Sequence, residues 1–313
     1  MPKTELDYME NYSSDALAQA AYVSDGAYSA DKIPDMTSNI APAGVASGSV
    51  EYIPAWLAMN DSVLGWDDWW NTYNQPPPQW LKYQFASGKI IQRYTITARD
   101  GGGYGTHHPT AWTLQGSNNN SDWTTLDTQT GQSFTNAEKK TYSFTNFTSY
   151  VYYRIYITAS AVYYVGIGEW ELIERALQCG SEATIKTQGT YALKAFADTN
   201  AINDTLTRTV SPTINLSGIT RIKFDIRSSR TGSNIKIGFH DSGGTTTEHT
   251  ANIASANVFQ TETISMSPVA DANKDAIDSI IITIVNADAT NTFYIDNIYA
   301  EAVSGVIFFG CNF

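Results

Sequence analysis

Between Gln79 and Ile96 the chain has little choice of local structure. In Gln79-Trp80-Leu81-Lys82-Tyr83-Gln84-Phe85 polar and apolar residues alternate, and Ile90-Ile91-Gln92-Arg93-Tyr94-Thr95-Ile96 follows after Ser87-Gly88-Lys89. A period of two places successive side chains on opposite faces, so each run reads as a strand with one buried face. The Ser-Gly-Lys segment between them predicts a turn, and the two runs together predict a β-hairpin.

Further strands are expected at Trp112–Ser117, Asp122–Leu126, Thr141–Phe144, Tyr150–Thr158 and Val165–Leu172. In the Tyr150–Thr158 run, Val151, Tyr153, Ile155 and Ile157 fall on one face. All eight tryptophans lie between Trp56 and Trp170, and this shift in texture marks a domain. After Arg175 tryptophan gives way to Thr, Ile, Asp and Asn. Strand candidates there are Tyr191–Ala197, Leu206–Val210, Arg221–Arg227, Ile235–Phe239, Phe259–Ile264, Ser279–Val285 and Thr292–Tyr299. Turn residues separate them at the spacing of a β-sandwich. Residues 31–50 are rich in Pro, Ser, Gly and Ala and read as loop. Ser14 to Val23 reads either as a short helix capped by Ser14 or Asp15, or as a loop into a strand at Ala21-Tyr22-Val23.

The order Pro77-Pro78-Gln79-Trp80-Leu81, then Arg93-Tyr94-Thr95-Ile96, then Trp112-Thr113-Leu114-Gln115-Gly116-Ser117, then Trp123 to Leu126 resembles the discoidin-like domain, the coagulation-factor type C family. The ending Gly166 to Leu172, with an acidic residue in its strand, fits the same pattern. The resemblance covers residues 36–174 and implies a β-sandwich that binds sugars, lipids or proteins through loops at one end. The phrases Gln188 to Lys194, Leu216 to Thr220 and Phe293 to Ile298 resemble the jelly-roll carbohydrate-binding modules of glycan-degrading enzymes. Those modules open with a strand that nothing after Arg175 supplies, whereas Leu6-Asp7-Tyr8-Met9-Glu10 does. The expected architecture is therefore all-β, with two jelly-roll-like β-sandwich domains, the first inserted in the second. Residues 4–30 and 176–302 form the discontinuous domain, and insertion at an exposed loop with close ends is cheap. Residues 303–313 form an apolar C-terminal tail expected to pack on the body or on another subunit. Tandem domains with a disordered N-terminal arm are the alternative.

A chain of 313 residues suffices for two cores. Its net charge of −12 argues against nucleic acid and anionic membrane, which need clustered Lys and Arg. Cys179 and Cys311 provide neither a disulfide framework nor metal-ligand spacing, and read as a buried cysteine and a tail cysteine. No run reaches the roughly eighteen apolar residues of a membrane span, and Met1 to Asp7 carries no signal-peptide core. The expected location is a virion or the extracellular side.

A sugar site needs an aromatic face for the C–H surface of the ring and planar polar groups for its hydroxyls. The segment Arg99 to Pro109 offers both between two strands, with Gly101, Gly102 and Gly103 letting it bend. Arg99, Asp100, Tyr104, His107 and His108 are the candidate contacts, with Trp69, Trp70 and Tyr73 in a neighbouring loop-like region. Trp70, Trp80 and Trp112 also suit a core. His240, Asp241, Glu248 and His249 bracket a Gly-Thr hairpin and read as a solvated loop.

The two resemblances imply structural Ca²⁺. The jelly-roll families place it on the first-strand acid, loop carbonyls before the strand that here begins at Tyr191 and the last-strand Asp, here Glu10, Gln188 to Thr190 and Asp296. The discoidin-like sugar binders use a loop and the final-strand Glu, here Asn60, Asp61 and Glu169. The loop Ala58-Met59-Asn60-Asp61-Ser62 lacks the family's glycine and has its Asp displaced.

No metalloprotease, nucleophile-elbow or Cys–His signature is present, and the glycines at 101–105 do not have dinucleotide-binding spacing. Asp67-Asp68 with Glu169 or Glu171 is the one carboxylate arrangement of glycosidase type. The expected function is non-catalytic glycan binding, in a phage tail or receptor-binding component that adsorbs to surface polysaccharide. Its partners would be a glycan or polysaccharide, and further copies of itself in a homo-oligomer or other virion proteins. The competing readings are a structural or protein-interaction component of a virion or cell surface, and an accessory module of a bacterial glycosidase.

Overall fold

The computed structural model describes residues 3–7, 9–63, 67–100 and 107–302. Tyr104, Gly101 to Gly103, Trp66 and the tail with Cys311 lie outside them. The chain divides into two compact units, Tyr28–Arg175 and the combination of Met1–Ala27 with Ala176–Phe313.

The Tyr28–Arg175 unit is built from two main antiparallel sheets. One orders its strands Val45–Gly48, Gln79–Lys89, Tyr150–Ser160, Pro109–Ser117 and Thr124–Gln129. The other runs Lys139–Ser143, Ile91–Thr97, Glu169–Arg175 and Tyr28–Asp31. Inward residues of both sheets form one core, with Leu81, Tyr83, Trp112, Leu114 and Ile155 from the first and Tyr94, Ile96, Trp170 and Leu172 from the second. Each fully buried large apolar side chain stabilises the unit by about 1.5–3 kcal/mol. The polar tips in this core are paired: Trp112 Nε1 donates to Tyr94 Oη (2.9 Å), whose hydroxyl donates to Asp127 (2.8 Å).

The expected hairpin does not form. Lys89 still pairs with Tyr150 in the first sheet, while Ile91 already belongs to the second, where it lies opposite Glu174. Only Ile90 separates the two strands, and its amide donates to Glu174 Oε1 (2.8 Å). The chain crosses from one sheet to the other because both runs must supply an inward face to a two-layer core. A second correction concerns Val151. The register shifts between Tyr150 and Tyr152, so Tyr150 turns inward with Tyr153, Ile155 and Ile157, and Val151 stays half-buried. Between these two pairs the partner strand advances five residues, Gln84 to Lys89, against two, and this irregularity breaks the alternation locally.

The other unit also has two antiparallel sheets. Leu177–Glu182, Ala192–Ala197, Asn291–Glu301, Arg221–Ser228 and Gln260–Ser265 form one, with Lys3–Glu5 added to Asn291–Glu301. Thr246–Ile253, Gly232–Asp241, Ile277–Ile284, Thr205–Ile214 and Tyr22–Ser24 form the second. The N-terminal segment thus adds a strand to each sheet. Between those strands, helix Asp15–Ala21 is capped by the Ser14 hydroxyl, which accepts the Leu17 N–H (3.3 Å). Both readings of Ser14 to Val23 are realised in succession. Asp7 is fully buried, accepts hydrogen bonds from the Tyr12 and Tyr22 hydroxyls (2.6 Å each) and lies 3.3 Å from Arg208. Cys179 is buried.

Glu248 and His249 are not in a solvated loop: Thr246–Ile253 pairs residue by residue with Gly232–Asp241. His249 Nε2 lies 2.5 Å from Glu262, and His240 Nδ1 lies 2.7 Å from Asp278. Among the described residues no helix is long and apolar enough to cross a membrane.

Candidate functional site

A two-stranded ribbon at the edge of the Tyr28–Arg175 unit carries the candidate site. Trp70–Asn71 pairs with Gly166–Ile167, and the Thr72 amide donates to Val165 O (3.0 Å). This pairing sets Tyr73 beside Tyr164 and the Trp69 ring against Gly166. Arg99 leaves the Ile91–Thr97 strand and His107 precedes the Pro109–Ser117 strand, so both come from strand ends.

These side chains form a continuous row. The Arg99 guanidinium lies 4.3 Å from the Trp69 ring, a cation–π contact. Trp69 meets His107 at 5.8 Å between centroids, and His107 meets Tyr164 at 4.3 Å. Tyr164 meets Tyr73 edge-on at 5.4 Å, and Tyr73 meets Tyr52 at 4.9 Å. Exposure rises along the row, from 5% at Arg99 and 3% at Trp69 to 47% at Tyr73 and 65% at Tyr52. The solvent end therefore supplies ring faces, and the buried end holds them in place.

Of the residues singled out from sequence, Arg99, His107, Trp69 and Tyr73 come together here. Trp69 acts as support, because its burial denies a ligand access to its face. His108 faces Phe134 instead: its Nε2 accepts the Phe134 N–H (3.3 Å) and the rings lie 5.4 Å apart. Asp100 is half-buried, and Tyr104 lies outside the described residues. Trp70 is core, with its Nε1 donating to Val50 O (2.8 Å). Sequence reasoning omits Tyr52 and Tyr164. A Tyr163-Tyr164 doublet in the loop after a long strand is the signal that could have found the second.

Gly166 lets the ribbon sit against the row. A Cβ there would come within 2.0 Å of the Trp69 ring. Gly166→Ala is expected to displace Trp69 and loosen its hold on Arg99 and His107. The measurement is intrinsic tryptophan fluorescence alongside thermal melting, with both expected to shift.

Glu169 is buried at 5% exposure, and burial raises its pKa to about 9. It accepts the Asn60 amide (3.2 Å), and the charges of Asp31, Glu171 and Asp61 push its pKa up further. Burial also raises Asp31, to about 7. A buried carboxyl in a field of other carboxylates is the one feature of this set whose chemistry suits a divalent cation. The neighbouring side chains contribute less. Asn60 Nδ2 donates to Asp68 (2.7 Å) and its Oδ1 accepts the Ser62 N–H (3.1 Å), while Asp61 is exposed. Among the described residues no group of three His, Cys, Asp or Glu could hold a metal.

The Glu10–Gln188–Asp296 set comes together with the opposite polarity. Asp296 Oδ2 accepts the amides of Thr187 (2.7 Å) and Gln188 (3.0 Å), and Glu10 Oε1 accepts the Thr190 amide (2.6 Å). The loop presents N–H donors, not carbonyl oxygens, to both carboxylates. Those donors take the lone pairs a cation would need, and the set does not fit a Ca²⁺ cage. The amide bonds hold Glu10 below the usual carboxylate range. As for glycosidase carboxylates, Glu171 is paired with Lys139 (2.5 Å) and accepts the Thr95 hydroxyl (2.5 Å), and Asp68 is bonded to Asn60.

Residues 46–173 match the model of the F5/8 type C domain. Among solved structures, the chain is similar to a CBM32 module from Clostridium perfringens in complex with GalNAc-β-1,3-galactose, at 15% identity and a TM-score of 0.37 over 41% of this chain and 94% of that one. It is also similar to the family 32 module of Clostridium perfringens NanJ in complex with galactose, at 20% identity and a TM-score of 0.37 over 42% and 93%. A fucolectin from the serum of Morone saxatilis, striped bass, matches at 13% identity and a TM-score of 0.38 over 85% and 98%. None of the curated proteins matches in sequence.

Proposed function

We propose that this chain, through the F5/8 type C domain at residues 46–173, is a non-catalytic glycan-binding protein. The observation that carries the reading is the aromatic row, running from the buried Arg99–Trp69 contact to exposed Tyr73 and Tyr52. Tyr73 and Tyr52 would meet the C–H face of a sugar, with Asp100 and the groups behind them taking hydroxyls. Calcium, if bound at Glu169, would neutralise a buried carboxyl and fix the Asn60 loop, and no step of sugar binding passes through it. Adsorption of a phage tail or receptor-binding component to surface polysaccharide is the finer role we assign. Weak single sites multiplied over several copies would then supply the avidity.

A glycan array that includes bacterial polysaccharides tests the reading. Tyr73→Ala and Tyr164→Ala are each expected to weaken the strongest hit about tenfold or more, as removal of an aromatic anchor does. Both variants should keep the wild-type melting temperature within a few degrees. A folded wild-type protein that binds no glycan would transfer the assignment to a structural, protein-binding role.

A further inference from the structure

We infer that the outer face of the five-stranded sheet of residues 28–175, centred on Lys82 and Arg154, is a second binding surface, for a polyanionic polysaccharide. It is built from other residues than the aromatic row and does not depend on that site.

The face follows from the alternation. Leu81, Tyr83, Tyr153, Ile155 and Ile157 point into the core, so Trp80, Lys82, Tyr152, Arg154 and Tyr156 point out and are half-buried. The register sets Lys82 directly opposite Arg154, with Trp80 opposite Tyr156 and Gln84 opposite Tyr152. Each cation lies among rings. Lys82 Nζ is 4.9 Å from the Trp80 centroid and 5.9 Å from that of Tyr152. The Arg154 guanidinium is 4.0 Å from Trp123 and 5.1 Å from Tyr156.

Among the described residues no carboxylate pairs with these charges. Lys82 Nζ donates to Asn120 Oδ1 (2.9 Å) and Arg154 Nε to Gln115 Oε1 (2.7 Å), both neutral amides. Neither cation forms an ion pair among the described residues. Like charges opposite each other on neighbouring strands destabilise a sheet. Each is also partly stripped of water, and burial lowers both ammonium and guanidinium pKa values. The chain has 31 acidic residues against 19 basic ones, so an uncompensated cation pair is not for want of carboxylates.

A polymer bearing carboxylates or sulfates on sugar rings satisfies every part of this face. Its anions meet Lys82 and the Arg154 fork, and its C–H surfaces meet the half-exposed rings. Nucleic acid offers anions and stacking bases too, but two cations on a protein of net charge −12 are a poor match for its charge density.

Affinity gel electrophoresis with polygalacturonate in the gel tests the inference, with a neutral galactan and a dT oligonucleotide as alternatives. Polygalacturonate is expected to retard the wild-type protein at low salt and to lose its hold at high salt, while the galactan has no salt-sensitive effect. Arg154→Gln and Lys82→Gln are each expected to weaken retardation about tenfold. Each variant removes one of two opposed like charges, so melting temperatures should not fall; if one variant unfolds, the other carries the test. Arg227→Gln makes the same change of charge in the other unit and is expected to behave as wild type. Absence of retardation by polygalacturonate, equal retardation of wild type and both variants, or stronger retention by the oligonucleotide would overturn the inference.

Discussion

In EDTA near pH 8, Glu169→Gln is expected to melt well above the wild-type protein, and near pH 4 the two should melt together. The cause is the buried carboxyl, whose pKa rises from an ordinary 4.5 to about 9 on folding. Between those values the folded state keeps a proton that the unfolded state has released. Stability is therefore fully present below about pH 4.5 and falls as pH rises toward 9. Over a window that wide the loss is on the order of several kcal/mol. Asp31, raised by burial to about 7, adds a loss of the same sign over a narrower range. Glutamine keeps the shape and the acceptor for the Asn60 amide and has no proton to lose. A calcium ion bound at Glu169 would compete with the proton there, and on that proposal it should restore the wild-type melting temperature near pH 8 and have little effect near pH 5. Glu169→Gln should not respond to it. A wild-type melting temperature in EDTA that is flat from pH 5 to 9 would mean that a partner inside the protein already neutralises the carboxylate.

The strands were the most legible part of this chain, because half-buried antiparallel strands print their burial as an alternation. Gln79 to Phe85 and Ile155 to Ile157 show it directly. What alternation leaves out is the partner. Ser87-Gly88-Lys89 has the composition of a turn, yet the chain stays in the first sheet through Lys89 and changes sheets at Ile90. Val45–Gly48 and Leu177–Glu182 are equally hard to see. Gly, Ser and Ala have little intrinsic preference for strand, and pairing with Gln79–Lys89 and Ala192–Ala197 is what extends them. At the candidate site, residue types were visible and contacts were not. Arg99, His107 and Tyr73 stand out in loops, but no local pattern reports that Trp69 is buried beneath them or that Tyr164 lies between His107 and Tyr73. The polarity of the Gln188 loop is hidden for the same reason, since a sequence does not say whether N–H or C=O groups turn toward Asp296.

That polarity yields the second large effect: Asp296→Ala is expected to destabilise the unit that contains it by about 3–5 kcal/mol, equally in calcium and in EDTA. Asp296 is 1% exposed and sits mid-strand, opposite Asp225. Its Oδ2 accepts the Thr187 and Gln188 amides and the Thr187 hydroxyl (3.0 Å), and its Oδ1 accepts the Asn297 amide (2.8 Å). Alanine removes all four acceptances at once, and each polar group left unsatisfied in a water-poor site costs about 1–3 kcal/mol. The loop does not hold itself. Gly189 is in the left-handed region at φ +58°, where a Cβ would come within 1.7 Å of Glu10 Oε1, so the amides of Thr190 and Tyr191 reach Glu10 only over a glycine. With Asp296 gone, only exposed Glu10 and the Thr187 hydroxyl on Asp225 (2.8 Å) still hold the segment, and amide hydrogen exchange should quicken from Thr187 through Tyr191. Asp296→Asn separates charge from hydrogen bonding. One carbonyl oxygen remains to accept, and the repulsion from Asp225 is relieved, so this variant should lose less than half as much as alanine. If EDTA instead destabilises the wild type and leaves Asp296→Ala unchanged, the carboxylate is a cation ligand and its amide bonds are secondary.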